Sequence, residues 1–369
     1  MYRDERRVEG RQVLQTRAAI DLEFGQPLRV GEIELPDPNA DEVLVELYAS
    51  GICHSQLHQL HNRDAVRPLL LGHEATGVVL QTGRKVKHVK EGDRVMVTWV
   101  PRDISVEDPP VPRTRFSYQG RDYSENTANI YTWAEHVLAH EQLVLPLADD
   151  VSVEDTAIIG CATVTGVGAV LGTAKVQPGA TVAVFGVGGV GINVLAGAQI
   201  AQAGRIIAVD LLDEKLEFAK EFGATDVVNA SEVDAVEAIK DLTGGGVDYA
   251  FDAIGAEPTL RQIVEAVRPG RLGASRGGTA VIVGIPQGPI TLPQGLFPVG
   301  ERQLVGSLGG SSHPATDYPE YVEWFRQGAL PLEKMITKRY DSLDEINEGV
   351  RALEAGEITG RSIMVYRKP

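Results

Sequence analysis

Cysteine is nearly missing from this chain: Cys53 and Cys161 are the only two in 369 residues. Two thiols cannot build a disulfide framework, and a thiol role in a reducing compartment suits them better than a bridge. Positive charge is the second deficit. Lys and Arg number 35 against 51 Asp and Glu, for a net charge of −16 and a pI near 5.0. That balance argues against nucleic acid and anionic membranes as partners and for little beyond solubility. Long apolar runs are also lacking. The most apolar segments, such as residues 181–187, are short and broken by glycine, and none reaches the roughly 20 residues a membrane helix needs. The opening MYRDERRVEGRQ is charged and has no apolar stretch, so no secretory signal is expected. The chain reads as cytoplasmic.

Glycine, in contrast, is abundant at 40 residues and clusters where turns are expected. The length implies about two domains of ~150 residues, and 43% apolar with 23% charged residues is ordinary for a globular chain. From about residue 14 to 147 short β-like runs (EVLVELYA, TGVVLQTG, DRVMVTWV, EHVLAHEQLVLPL) are divided by Pro and Gly, which predicts a β-rich domain. Residues 101–129 break this pattern. They are polar, aperiodic and carry Pro101, Pro109, Pro110 and Pro112, and so are expected to form a long excursion.

From Ala180 the rhythm becomes strand, helix, strand: TVAVFG, INVLAGAQIAQAG, RIIAVD, DEKLEFAKEFGA, then VDYAFDAIG, TAVIVG and RQLVGS. Alternation at this spacing predicts an α/β unit, a doubly wound parallel sheet covered by helices. Two amphipathic helices are expected at 319–327 and 343–355, with SIMVY as a closing strand. No internal repeat or low-complexity tract is present.

Within that second unit, Gly186-Val-Gly188-Gly189-Val190-Gly191 lies between a strand and a helix. In this context the G-x-G-x-x-G spacing is a dinucleotide signal. Its first glycine permits a tight turn, its second lets a pyrophosphate approach, and its third allows close helix–strand packing. The helix N-terminus then favours the anion. Asp210 ends the next strand, nineteen residues after Gly191, where a carboxylate accepts from ribose hydroxyls and repels a 2′-phosphate. NAD is therefore expected rather than NADP, with Lys215 one helical turn further along the ribose. The bland alternative is a tight turn and a capping Asp in a sheet that binds no dinucleotide.

The segment GICHSQLHQLHN at residues 51–62 places one cysteine and three histidines together without a second ligand pair nearby. Two other glycine-rich segments, LGHEATG and GCATVTG, hold further candidates. Cys53, His73 and Cys161 would make a Cys₂His set, which leaves a fourth zinc position open. Taken singly each has a plainer reading. A buried Cys is usually a small hydrophobe, and a His-Glu pair usually lies at the surface.

Taken in order, GICHSQ, GHEATGVV, GDRV, GCATVTG and VFGVGGVG resemble the zinc-dependent alcohol dehydrogenases of the medium-chain dehydrogenase/reductase superfamily, over about residues 17–366. The resemblance implies a β-rich GroES-like catalytic domain (1–162 and 308–369) and a doubly wound Rossmann NAD-binding domain (163–307). It places zinc ligands on Cys53, His73 and Cys161, with Glu74 a supporting or alternating ligand. It puts the adenosine-binding acid and lysine on Asp210 and Lys215, and a pyrophosphate contact on His54. Thr165, Val190, Ile254 and Val283 join the glycines as cofactor contacts, and Trp99 falls on a pocket-wall position. Ser55 and His58, three apart on one helical turn, correspond to a relay that carries the alcohol proton past the nicotinamide ribose to solvent. His61 matches nothing and reads as an exposed helix residue.

Two departures stand out. Most members carry four cysteines in the lobe after the first β-region, for a structural zinc; residues 101–129 have none, so one catalytic zinc per chain is expected. The family usually has Asp where this chain has Gln56, so His73 should be a less basic ligand. The implied activity is reversible hydride transfer between a small-molecule alcohol and NAD, with zinc as Lewis acid, in a homodimer or homotetramer. The alternatives are a nicotinoprotein that never releases NAD, a zinc-free quinone or enoyl reductase, and a non-enzymatic nucleotide sensor.

Overall fold

Ten of the eleven residues of strand Glu42–Ile52 are buried, so this strand is covered on both faces and belongs at the centre of a sheet. The computed structural model describes residues 5–8, 11–103, 114–123, 130–286 and 288–367. Most of the expected excursion, at 104–113 and 124–129, lies outside these residues. The chain divides into one unit of residues 1–161, 313–326 and 332–369 and a second of residues 162–312 and 327–331.

In the first unit, Glu42–Ile52 sits inside a seven-stranded sheet. Its path is Val144–Pro146, Arg94–Val97, Ala75–Thr82, Glu42–Ile52, Arg361–Val365, Ile336–Tyr340, and His136–His140 also pairs with Glu42–Ile52. A second antiparallel sheet is built on Arg11–Asp21, paired with Glu5–Val8, Arg29–Pro36 and Leu69–Leu70. Val43, Val45, Leu47, Val95, Ile33, Leu35 and Phe116 fill the core. Each such side chain contributes roughly 1.5–3 kcal/mol on burial.

The second unit is a six-stranded parallel sheet in the order Asp226–Asn229, Arg205–Asp210, Thr181–Phe185, Tyr249–Asp252, Thr279–Ile282, Gln303–Gly306. The strand order reverses between Thr181–Phe185 and Tyr249–Asp252, the switch point where such sheets bind ligands. One of its helices is capped at both ends by ordinary local rules. Ala235–Thr243 begins at Asp234, whose carboxylate accepts from Val236 N (2.9 Å) and Glu237 N (3.0 Å), and ends at Gly244 with φ +71°.

Five elements differ from the sequence expectations. The helix expected to start at Pro319 spans Pro314–Arg326 with Pro319 inside it. Proline favours the first helical turn, and here Pro314, not Pro319, opens the helix. Strand Asp226–Asn229 and helices Ala235–Thr243 and Glu257–Ala266 were not anticipated. One helical stretch, the 20-residue Asp155–Ala174, is apolar and long enough to span a membrane, where the sequence suggested none. Glycines and threonines interrupt its apolar run yet leave a mean hydropathy of 1.7, and 72% of that window is buried inside the protein, the setting of a core helix.

Candidate metal centre and dinucleotide loop

Strand pairing brings the first unit's site together. Glu42–Ile52 runs antiparallel to Ala75–Thr82 with Ser50 opposite Ala75, and antiparallel to Arg361–Val365 with Ile52 opposite Ser362. The end of the first strand therefore meets the beginnings of the other two, and Cys53, His73, Glu74 and Arg361 converge although they are distant in sequence. Gly72 makes the turn into His73 at φ +92°, and a side chain there would press on Thr132 and Trp133. Cys161 arrives from another direction, in a wide turn of helix at Ile159–Thr163. Such i→i+5 turns occur mostly singly and often at functional sites.

The donor atoms of Cys53, His73 and Cys161 all lie within 4.8 Å of one another. Cys53 Sγ is 3.9 Å from Cys161 Sγ, and His73 Nε2 is 3.0 Å from Cys161 Sγ. Two thiolates held 2.3 Å from one tetrahedral zinc stand about 3.8 Å apart, so the sulfur pair fits that ion. The charges fit as well. The hydrogen bond from Cys161 holds the Cys53 thiol well below its usual range against the cost of burial, with Arg361 and His73 adding to the effect. The bond to Cys53 and burial push Cys161 well above that range. A cation held between the two buried sulfurs would favour the thiolate form of both.

Glu74 and Arg361 form an ion pair behind this set, at 0% and 5% side-chain exposure. Burial works against the charged guanidinium, but Cys53, Glu74 and Cys161 keep it protonated above the ordinary arginine range. Gly51 leaves the room this pair requires, because a Cβ there would collide with the Glu74 carboxylate. Arg361 was not anticipated. Its only sequence signal was an arginine opening the apolar strand RSIMV.

The short helix Ser55–Leu60 follows Cys53 directly. The buried Gln56 amide contacts His73 Nδ1. The amide nitrogen is the atom placed against Nδ1, and the carbonyl oxygen is buried without a partner. An Nε2 committed to a metal would leave the proton on Nδ1, and the amide turned over would then accept it through that oxygen. Ser55 Oγ donates to Cys53 Sγ at 3.3 Å, and the His54 and His58 rings stand edge to face 5.6 Å apart. His61 lies at the exposed end and pairs with Glu354 at 3.0 Å. Trp99 packs edge-on to His73 with ring centres 6.4 Å apart.

The second unit carries the glycine loop between Thr181–Phe185 and helix Gly191–Ile200. Gly186 has φ +84°, and a Cβ on Gly191 would strike the Gly186 carbonyl, so neither position accepts a larger residue easily. A Cβ on Gly188 would meet nothing within 4 Å, which leaves that face open for a ligand. Asp210 is partly exposed at the end of its strand. Its Oδ2 accepts from Val187 N (3.0 Å) and its Oδ1 from Leu211 N (2.8 Å), so it lies against the loop. Thr165 is near the same helix, because its neighbour Gly166 packs on Val190, Asn193 and Val194. Ile254 reaches over Gly186, and Val283 N donates to Asp252 O at 2.9 Å on the adjacent strand ends. Lys215 lies on helix Asp213–Ala219, which follows Asp210.

Residues 39–149 match the family described as alcohol dehydrogenase GroES-like domain, and 189–327 match zinc-binding dehydrogenase. The chain is 34% identical to the alcohol dehydrogenase class-3 of Cereibacter sphaeroides, over 96% of this chain and 100% of that one. It is also 34% identical to the S-(hydroxymethyl)glutathione dehydrogenase of Paracoccus denitrificans, with the same two coverages. Among solved structures, the benzyl alcohol dehydrogenase of Acinetobacter calcoaceticus superposes with a TM-score of 0.85 at 28% identity, covering 96% of this chain and 99% of that one.

The chain belongs to the zinc-dependent alcohol dehydrogenases.

As a member of that family it is an NAD-dependent oxidoreductase built from a GroES-like domain and a Rossmann-type domain. Zinc and NAD(H) are the cofactors of the dehydrogenase, and alcohols and their carbonyl products are its substrates. Among the described residues, Cys53, His73 and Cys161 are the one group of three or more such side chains placed to hold a metal ion.

Proposed function

We propose that Cys53, His73 and Cys161 hold a single catalytic zinc per chain, with Glu74 a supporting or alternating ligand and no second, structural zinc. The convergence of those three donor atoms within 4.8 Å carries the reading. The absence of any third cysteine supports the stoichiometry. The catalytic domain would comprise residues 1–162 and 308–369 and the NAD-binding domain residues 163–307. When bound, zinc supplies Lewis acidity toward an alcohol oxygen and NAD accepts the hydride.

The chain's own groups do the rest. Ser55 Oγ accepts the proton of the substrate alcohol and His58 hands it to solvent. Trp99 walls the substrate side of His73. Gly186, Gly188, Gly189, Val190 and Gly191 receive the pyrophosphate with His54, while Asp210 and Lys215 bind the adenosine ribose. Thr165, Ile254 and Val283 contact the cofactor. The exposed Val299 and Leu308 flank edge strand Gln303–Gly306 and suit a homodimer or homotetramer. The protein is read as cytoplasmic.

Elemental analysis should return about one zinc per chain, and Cys161→Ala should lose zinc and activity while remaining folded. Two tightly bound zincs, or an active zinc-free variant, would overturn the proposal. A panel of primary, secondary and aromatic alcohols, extended to benzyl alcohol and S-(hydroxymethyl)glutathione from the relatives' names, should be scored by kcat/KM with NAD. Nicotinamide absorbance that survives exhaustive dialysis would instead favour a cofactor that never leaves.

A further inference from the structure

Thr98 follows strand Arg94–Val97 and is fully buried, and its hydroxyl is used to capacity. It donates to the Gly160 carbonyl at 2.7 Å. That carbonyl can only accept, so the single Thr98 proton is committed there and Tyr318, 2.8 Å from the same oxygen, must be a donor. Val100 N donates to the second lone pair at 3.1 Å. Tyr318 itself has no exposed surface, and burial pushes its phenol well above the usual range, so it keeps its proton at any working pH.

The three bonds gather parts that the sequence keeps far apart. Gly160 immediately precedes Cys161 in the wide helical turn, and its backbone is pressed so close that a Cβ would lie 2.6 Å from Val97 O and 3.2 Å from Glu74 Cβ. Trp99, beside His73, is bracketed by Thr98 and Val100, which are tied to each other. Tyr318 comes from helix Pro314–Arg326, whose start is fixed to the same strand end by Ala315 N donating to Arg102 O at 3.3 Å.

We infer that Tyr318 and Thr98 form a hydrogen-bonded lock that positions Cys161 as a metal ligand and Trp99 beside His73. The inference rests on the ligand set proposed above. Neither residue touches the donor atoms. Both act through the peptide that carries the thiol, in the way that groups behind a metal ligand fix its orientation. A structural hydroxyl would affect only folding stability. A positioning hydroxyl also changes how tightly and how symmetrically the metal is held.

The full-length protein, loaded with zinc, is therefore compared with Thr98→Val, Thr98→Ser, Tyr318→Phe and the Thr98→Val/Tyr318→Phe double variant. Zinc affinity is measured against a competing chelator, and the cobalt-substituted forms are compared by their thiolate-to-cobalt absorption. Removal of a supporting hydrogen bond typically weakens metal binding by about 10–100-fold. Thr98→Val is expected near the low end of that range, and Tyr318→Phe in the same direction but smaller. Thr98→Ser should keep wild-type behaviour. The double variant should be no weaker than Thr98→Val, because Tyr318 works through Thr98. Both weakened variants should shift the cobalt spectrum.

Folded Thr98→Val and Tyr318→Phe with wild-type zinc affinity and cobalt spectra would overturn the lock, whatever happens to their melting temperatures. If Thr98→Val does not fold, Tyr318→Phe, which keeps the ring, decides alone. Wild-type protein that takes up no zinc would overturn the ligand assignment itself and this inference with it.

Discussion

At the scale of single residues, the departure that matters most is Gln56. It faces His73 Nδ1 with a neutral amide where a carboxylate would make the imidazole a stronger donor. Gln56→Glu keeps the reach and adds the charge, so zinc should bind about 10-fold tighter in chelator competition, and Gln56→Leu should bind it at least that much more weakly. A Glu variant that releases zinc as fast as the wild type would remove Gln56 from the account. The same scale shows what the sequence could reveal. The convergence of Cys53, His73 and Cys161 was legible because their residue types are rare here and their chemistry narrow. Arg361 and Thr98 were not, since arginine and threonine are common and their part depends on which strand ends adjoin.

Elements were legible where their pattern was long or their turn chemistry distinctive. Glu42–Ile52, Arg205–Asp210 and the glycine loop fall where apolar runs and G-x-G-x-x-G place them. Asp226–Asn229 escaped notice because only one of its four residues is buried, so no apolar run marks it. The wide turn at Ile159–Thr163 has no propensity signature at all; packing decides it. For the cofactor loop, the contact of Asp210 with Val187 N adds a consequence to the expected NAD preference. Asp210→Ser with Leu211→Arg should move the kcat/KM ratio toward NADP by removing the repulsion with a 2′-phosphate. It should also loosen the loop, so NAD use should fall further than NADP use rises. A wild-type enzyme that already prefers NADP would contradict this reading of the loop.

For the whole molecule, acid is the expected weakness. Burial lowers His136 below its ordinary range; Glu46 opposes the shift, Arg367 adds to it, and the Thr16 hydroxyl lies 2.9 Å from His136 Nδ1. Burial also lowers His88, with the Val144 carbonyl and Glu141 opposing and Arg102 assisting. In both, the unfolded chain takes up a proton near pH 6.5 that the folded chain refuses. The stability contribution is therefore present above that pH and lost as pH falls through the folded value, by at most about 1.4 kcal/mol per pH unit per group. Urea midpoints should fall between pH 7 and 5, and His136→Gln should flatten the slope. An unchanged slope would assign the acid loss to other groups. A last consequence concerns order in time. The second unit is almost one continuous piece of chain, residues 162–312, which interrupts the sequence of a first unit whose central strand Glu42–Ile52 waits for Arg361–Val365. Domains tend to fold as they emerge from the ribosome, so the nucleotide sheet can be complete while the earlier-made thiols still lack the arginine that neutralises Glu74. On the proposed ligand set, all three donors are made before the second unit, but the buried charge of Glu74 behind them waits for Arg361, so a fully formed site is expected only after the last strand is in place.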